Sequence, residues 1–126
     1  MSTLVTSTNV ASTTMPSEQR CRRRFPRYRT HLPIKIRTQQ QHHLDGCSFV
    51  ISEGGLGATL PELLPVGSMV QLLLSLPAHA MPLKVLAIVR NQVDCQYGFE
   101  FLSLTTEDRL QVRQFCDQLA AYQRGV

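Results

Sequence analysis

Leu32-Pro33-Ile34-Lys35-Ile36-Arg37 decides the fold class. An apolar side chain at every second position, separated by proline, lysine and arginine, is the period of a strand with one face in a core and the other in water. Pro33 has no N–H for a ladder, which places this strand at a sheet edge or puts the proline at its start. The same alternation returns downstream. Phe49 to Ile51 predicts a short apolar strand, and Ser52-Glu53-Gly54-Gly55 follows it, with paired glycines that permit positive φ and a tight reversal into a hairpin. Leu56, Ala58 and Leu60 resume the pattern. Met69 to Leu76 and Leu83 to Arg90 are two further strands, joined by a connection holding Pro77 and Pro82. Tyr97, Phe99 and Phe101 alternate with Gly98 and Glu100 to complete six strands. Between them, Gln39 to Gly46, Pro61 to Ser68 and Asn91 to Asp94 read as loops or turns.

The period changes at the C-terminal end. Thr105 with Asp108 three residues on is a capping-box signal, and Val112, Phe115, Cys116 and Leu119 fall on one helical face, with Leu110 on the opposite one. Six short strands followed by one amphipathic helix predict an all-β fold, a small antiparallel β-barrel with a C-terminal α-helix against its side or mouth.

At 126 residues the chain holds one core. Residues 1–19 contain nine Ser or Thr, one charge and no apolar period, which predicts a disordered tail. The domain is expected over 20–123, with a basic arm at 20–31 and the helix at 105–123. The tail lacks the basic and apolar regions of a signal peptide, and the apolar run Met69 to Leu76 is too short to span a bilayer, so a cytoplasmic protein without membrane insertion is expected. Cys21, Cys47, Cys95 and Cys116 are scattered, which favours free or buried thiols over a disulfide framework.

Charge is unevenly placed. Arg20, Arg22, Arg23, Arg24, Arg27, Arg29, Lys35 and Arg37 supply eight of the thirteen basic residues with no acid among them, leaving five bases against nine acids elsewhere. Such a segment calls for an anion. Arginine suits phosphate because its planar fork makes bidentate bonds and its face stacks on a base. On charge alone, a solvated basic tail or nonspecific nucleic-acid contact accounts for the segment better than a specific site does. His42, His43 and Cys47 lie close together but match no zinc spacing, and a fourth ligand is lacking, so neither a metal nor another cofactor is expected. There is no GxSxG, Walker loop, HExxH or dinucleotide fingerprint, which argues against an enzyme.

Two motifs narrow the class. Arg23-Arg24-Phe25-Pro26-Arg27 fits RxxxR, and Val50-Ile51-Ser52-Glu53-Gly54-Gly55 fits most of D/N-x-S-x-x-G. In this order on a barrel, with Leu32-Pro33-Ile34-Lys35-Ile36, Leu64-Pro65-Val66-Gly67, Tyr97-Gly98-Phe99-Glu100-Phe101 and Leu104-Thr105-Thr106-Glu107-Asp108-Arg109, the chain resembles the PilZ domain family over about residues 20–119. The resemblance implies a six-stranded barrel with a flanking helix that binds the bacterial second messenger cyclic di-GMP. It implies that Arg23 and Arg27 contact phosphates and guanine faces, assisted by Arg22 or Arg24, and that Ser52 and the Gly54-Gly55 backbone line the base. Val50 replaces the acid or amide of the second motif, a hydrogen bond to a charged group worth about 1.5–3 kcal/mol. Asp45 and Glu53 are the nearby acids that could take its place.

The expected mechanism is ligand-driven ordering: like charges keep the arm mobile, and a doubly anionic ligand neutralises some of them and bridges arm to barrel, signalling to an effector protein partner. Two alternatives stay open. One is a degenerate PilZ adaptor that binds a protein without nucleotide. The other, less favoured, is a barrel that binds single-stranded nucleic acid, with Phe25 and Tyr28 stacking on bases.

Overall fold

The computed structural model describes residues 25–61, 63–77 and 79–124. Six strands precede one helix: β1 (Tyr28–Thr38), β2 (His43–Ser52), β3 (Gly55–Thr59), β4 (Met69–Leu74), β5 (Leu83–Val93), β6 (Gln96–Ser103) and α1 (Thr106–Arg124). All pairings are antiparallel and the sheet closes on itself in the order β1-β2-β3-β6-β5-β4. Closure gives every strand two neighbours, so no ladder edge is left open.

The alternation read from Leu32 to Arg37 points as expected. Leu32, Ile34 and Ile36 are buried, and Pro33, Lys35 and Arg37 face out. They meet Leu72, Leu74, Val85, Ala87, Val89, Ile51, Leu56 and Phe99 in one core. Tyr97 is buried too, and its hydroxyl accepts the amide of Leu64 at 3.2 Å, fastening the β3–β4 connection over the barrel.

Several sequence boundaries are corrected. β1 begins at Tyr28, so the last four residues of the expected arm already belong to the barrel, and Tyr28 itself packs partly buried against the core. Pro33 lies in the interior of β1. The loop expected over 39–46 is confined to 39–42, because β2 starts at His43. It turns on Gln41 at φ 67°, with Thr38 Oγ1 accepting the amide of His42. The turn expected over 91–94 shifts to Asp94-Cys95, where Asp94 takes the left-handed conformation at φ 55° and Val93 pairs with Gln96. Gly54 and Gly55 do not use positive φ: among the described glycines only Gly67 does, at 95°. Their reversal is a two-residue connection between the paired Ser52 and Gly55.

The helix starts as its cap predicts, with Thr105 Oγ1 accepting the Asp108 amide at 3.0 Å and Glu107 and Asp108 beside the positive end of the dipole. Val112, Phe115, Cys116 and Ala120 are buried, and Leu110 is 48% exposed on the far face. The helix lies against β1 and β2, where the Gln123 side-chain amide donates to the Arg29 carbonyl at 2.7 Å. Among the described residues no helix is long and apolar enough to cross a membrane, and Cys47, Cys95 and Cys116 are free thiols.

Candidate functional site

On the outer face of β3 and β6 the side chains give way to backbone. Outward positions carry Gly55, Gly57 and Gly98, producing a trough of about 290 Å³. Each glycine is there for space. A Cβ on Gly55 would strike the Phe99 carbonyl oxygen, one on Gly57 would come within 2.8 Å of Val50 Cγ1 and 3.0 Å of the Phe49 ring, and one on Gly98 would lie 2.6 Å from Asn91 Oδ1.

Two bulges raise the walls. Between Ser48 and Val50 the β2–β3 register slips, leaving Phe49 as the extra residue, and the same happens on β5 between Val89 and Asn91, leaving Arg90. Bulges re-aim side chains, and both extra residues line the trough. The buried Ser48 hydroxyl donates to the Val50 carbonyl at 3.0 Å, which satisfies a polar group next to the β2 bulge.

A second cleft of about 330 Å³ adjoins the first and shares Arg27, Ser52, Gly54 and Glu100 with it. Phe25, Glu53, Phe101 and Arg109 also line it. Two motifs far apart in sequence meet at this divide. A Cβ on Gly54 would come within 3.1 Å of the Phe25 ring, so the aromatic of the arm lies on the hairpin tip. Ser52 Oγ accepts the Gly54 amide at 3.1 Å and donates to the Gly55 carbonyl at 3.3 Å, bracing the turn, while Phe101 N–H donates to the Gly54 carbonyl at 2.9 Å.

Of the residues singled out from sequence, Arg27, Ser52, Gly54 and Gly55 therefore lie around one opening. Arg22, Arg23 and Arg24 lie outside the described residues. Val50 forms an apolar wall beside Phe49. Neither proposed substitute for its missing acid stands in the trough. Asp45 sits opposite Lys35 near the start of β2, in a 3.5 Å ion pair, and Glu53 turns to the second cleft and pairs with Arg113 of α1 at 3.6 Å.

Sequence reasoning missed the far wall: Arg90, Asn91, Gln96 and Glu100. Glu100 accepts from Arg90 Nε at 2.5 Å. The detectable signal was Gly98 within the apolar alternation of β6, since a glycine inside a strand marks a bulge or a close approach. The site thus offers guanidinium groups, a flat backbone floor, an aromatic edge and side-chain amides, a set suited to a planar, anionic, hydrogen-bonding ligand.

A closed six-stranded antiparallel barrel flanked by one C-terminal helix, with Arg27 at the edge of a glycine trough, defines the class as a small β-barrel domain. The chain belongs to the PilZ domain family, whose model matches residues 22–118. No curated protein sequence matches it. Among solved structures it is similar to the inhibitor of motility MotI/DgrA of Bacillus subtilis, with TM-score 0.72 and 20% identity over 87% of this chain and 58% of that one. It is also similar to the PilZ domain of YcgR from Escherichia coli with c-di-GMP, at TM-score 0.64 and 16% identity over 82% of this chain and 95% of that one. The MrkH–c-di-GMP complex of K. pneumonia gives TM-score 0.65 and 20% identity, over 83% of this chain and 56% of that one. At these identities the likeness is one of fold. The chain spans little more than half the length of MotI/DgrA and of MrkH.

Proposed function

We propose that this protein is a receptor for cyclic di-GMP that acts as an adaptor and not as an enzyme. One observation carries the reading: Arg27 of the first motif and Ser52, Gly54 and Gly55 of the second line a single cleft, with Phe25 already laid on Gly54. The structures of YcgR and MrkH that it resembles hold c-di-GMP. Arg27 offers a fork to phosphate, and the glycine floor accepts a purine face. The arginines at 22–24 close over the ligand from the arm, and the change of surface signals to an effector protein.

Calorimetric titration of cyclic di-GMP into the purified chain tests this. Saturable binding is expected, with GTP silent, and Arg27→Ala should weaken it by about ten- to a hundredfold through loss of a charge-assisted bond. Absence of heat from a demonstrably folded wild type would refute the receptor reading. Arm closure has its own check, because trypsin cleavage after the arm arginines should slow when ligand is saturating.

The apolar wall of Phe49 and Val50 favours a second reading, an adaptor that recognises a protein without nucleotide. Under it, Val50→Asp remains indifferent to cyclic di-GMP. Under the receptor reading the restored acceptor tightens binding.

A further inference from the structure

One row of residues runs across four strands on the outer face: Val50 on β2 pairs with Gly57 on β3, Gly57 with Gly98 on β6, and Gly98 with Asn91 on β5. At neighbouring strand spacings of about 4.8 Å, the row is roughly 14 Å long. Its two ends differ in chemistry. Val50 offers only methyl groups, whereas Asn91 folds its amide inward over the floor: the position of a Cβ on Gly98 lies 2.6 Å from Oδ1, 2.8 Å from Nδ2 and 2.9 Å from Cγ. Both polar atoms lie nearer that position than Cγ does, so the amide turns its donor and acceptor edge toward the glycine floor.

The acids nearby are otherwise engaged. Glu100 is bound to Arg90 and Glu53 to Arg113. We infer that Asn91 is the base-reading residue of this site, hydrogen-bonding the edge of a guanine seated on the Gly57–Gly98 floor. Oδ1 accepts guanine N1–H while Nδ2–H donates to O6, a cyclic pair that needs no acid at position 50. This assignment rests on the receptor reading above and adds to it the group that selects the base. An amide pairs with adenine as well, through N6–H and N1, but a carboxylate does not: it accepts from guanine N1–H and N2–H and leaves adenine N1 without a donor.

The discriminating experiment is calorimetry of the full chain with cyclic di-GMP and cyclic di-AMP, using Asn91→Leu, Asn91→Asp and Arg27→Ala. Asn91 is exposed, so thermal melting of its variants should match the wild type. Asn91→Leu is expected to lose about tenfold or more in affinity for cyclic di-GMP. Asn91→Asp should retain cyclic di-GMP within roughly threefold and discriminate more strongly against cyclic di-AMP. Wild-type affinity in Asn91→Leu, in a protein whose Arg27→Ala variant binds about ten- to a hundredfold more weakly, would overturn the assignment and leave the receptor standing. A silent wild type would overturn the receptor reading, and the assignment with it.

Discussion

Glu100 lines both clefts together with Arg27, and it holds the Arg90 guanidinium in an ion pair whose partners are about half exposed. A carboxylate there repels an incoming phosphate and occupies a cation that would otherwise attract one. Glu100→Gln should therefore raise affinity for cyclic di-GMP by roughly two- to fivefold, the scale of an exposed ion pair, and the gain should shrink as salt is added. Titrations at two ionic strengths check this, and a loss of affinity would mean that the carboxylate itself accepts a bond from the ligand. Ser52 acts differently. Both hydrogen bonds of its hydroxyl go to its own turn, so Ser52→Ala should cost about 1 kcal/mol in thermal unfolding and weaken binding only through a looser hairpin tip. At this scale the two motifs were legible in the sequence because each is contiguous. Arg90, Asn91 and Glu100 were not, because they reach the site only through barrel closure and the β5 bulge, whose one sequence signal, Gly98, lies on the neighbouring strand.

Helix α1 holds the site from behind. Gln123 binds the carbonyl of Arg29, two residues past Arg27, and Arg113 pairs with Glu53 at the hairpin tip, so one helix touches both halves of the cleft wall. Cys116 is the reporter of that contact. Burial first, then the carboxylates of Glu53 and Asp117, push its thiol from 9.0 up to about 12. The folded protein keeps the proton while the unfolded chain releases it near 9.0, so stability falls as pH rises from about 9 to about 12 and is unaffected by this group below that window. Melting temperature across that range should fall more steeply in the wild type than in Cys116→Ala. At pH 8 an alkylating reagent should label exposed Cys95 and spare Cys116 until α1 detaches. The helix was legible from its cap and its 3.6-residue period. The start of β2 was hidden, because after Leu44 its next inward positions, opposite Ile34 and Leu32, hold Gly46 and buried Ser48, and a strand whose core face carries glycine and serine reads as a loop. Gly46 is required there, since a Cβ would collide with Leu60 and the Thr59 carbonyl.

Across the whole molecule, barrel closure separates stability from recognition. Every strand sends one face into a single core, where Leu72, Leu74, Val85 and Val89 are fully buried, while the trough lies on the outer face of β3 and β6. Leu72→Ala leaves a cavity worth about 2–5 kcal/mol. In a domain of this size it should lower the melting temperature by roughly 10 °C or more, in one cooperative transition. It should not touch the ligand. Arg27 is exposed, and its replacement by alanine removes the proposed ligand contact without opening the core. A ligand that binds only the folded state stabilises it by about 2.7 kcal/mol at a hundred times its Kd. Cyclic di-GMP should therefore stabilise Leu72→Ala by as much as the wild type, from a lower starting temperature, and fail to do so for Arg27→Ala at the same concentration. Thermal scans of the three proteins with and without ligand decide it. A shift lost in Leu72→Ala would mean that core packing sets the shape of the glycine floor.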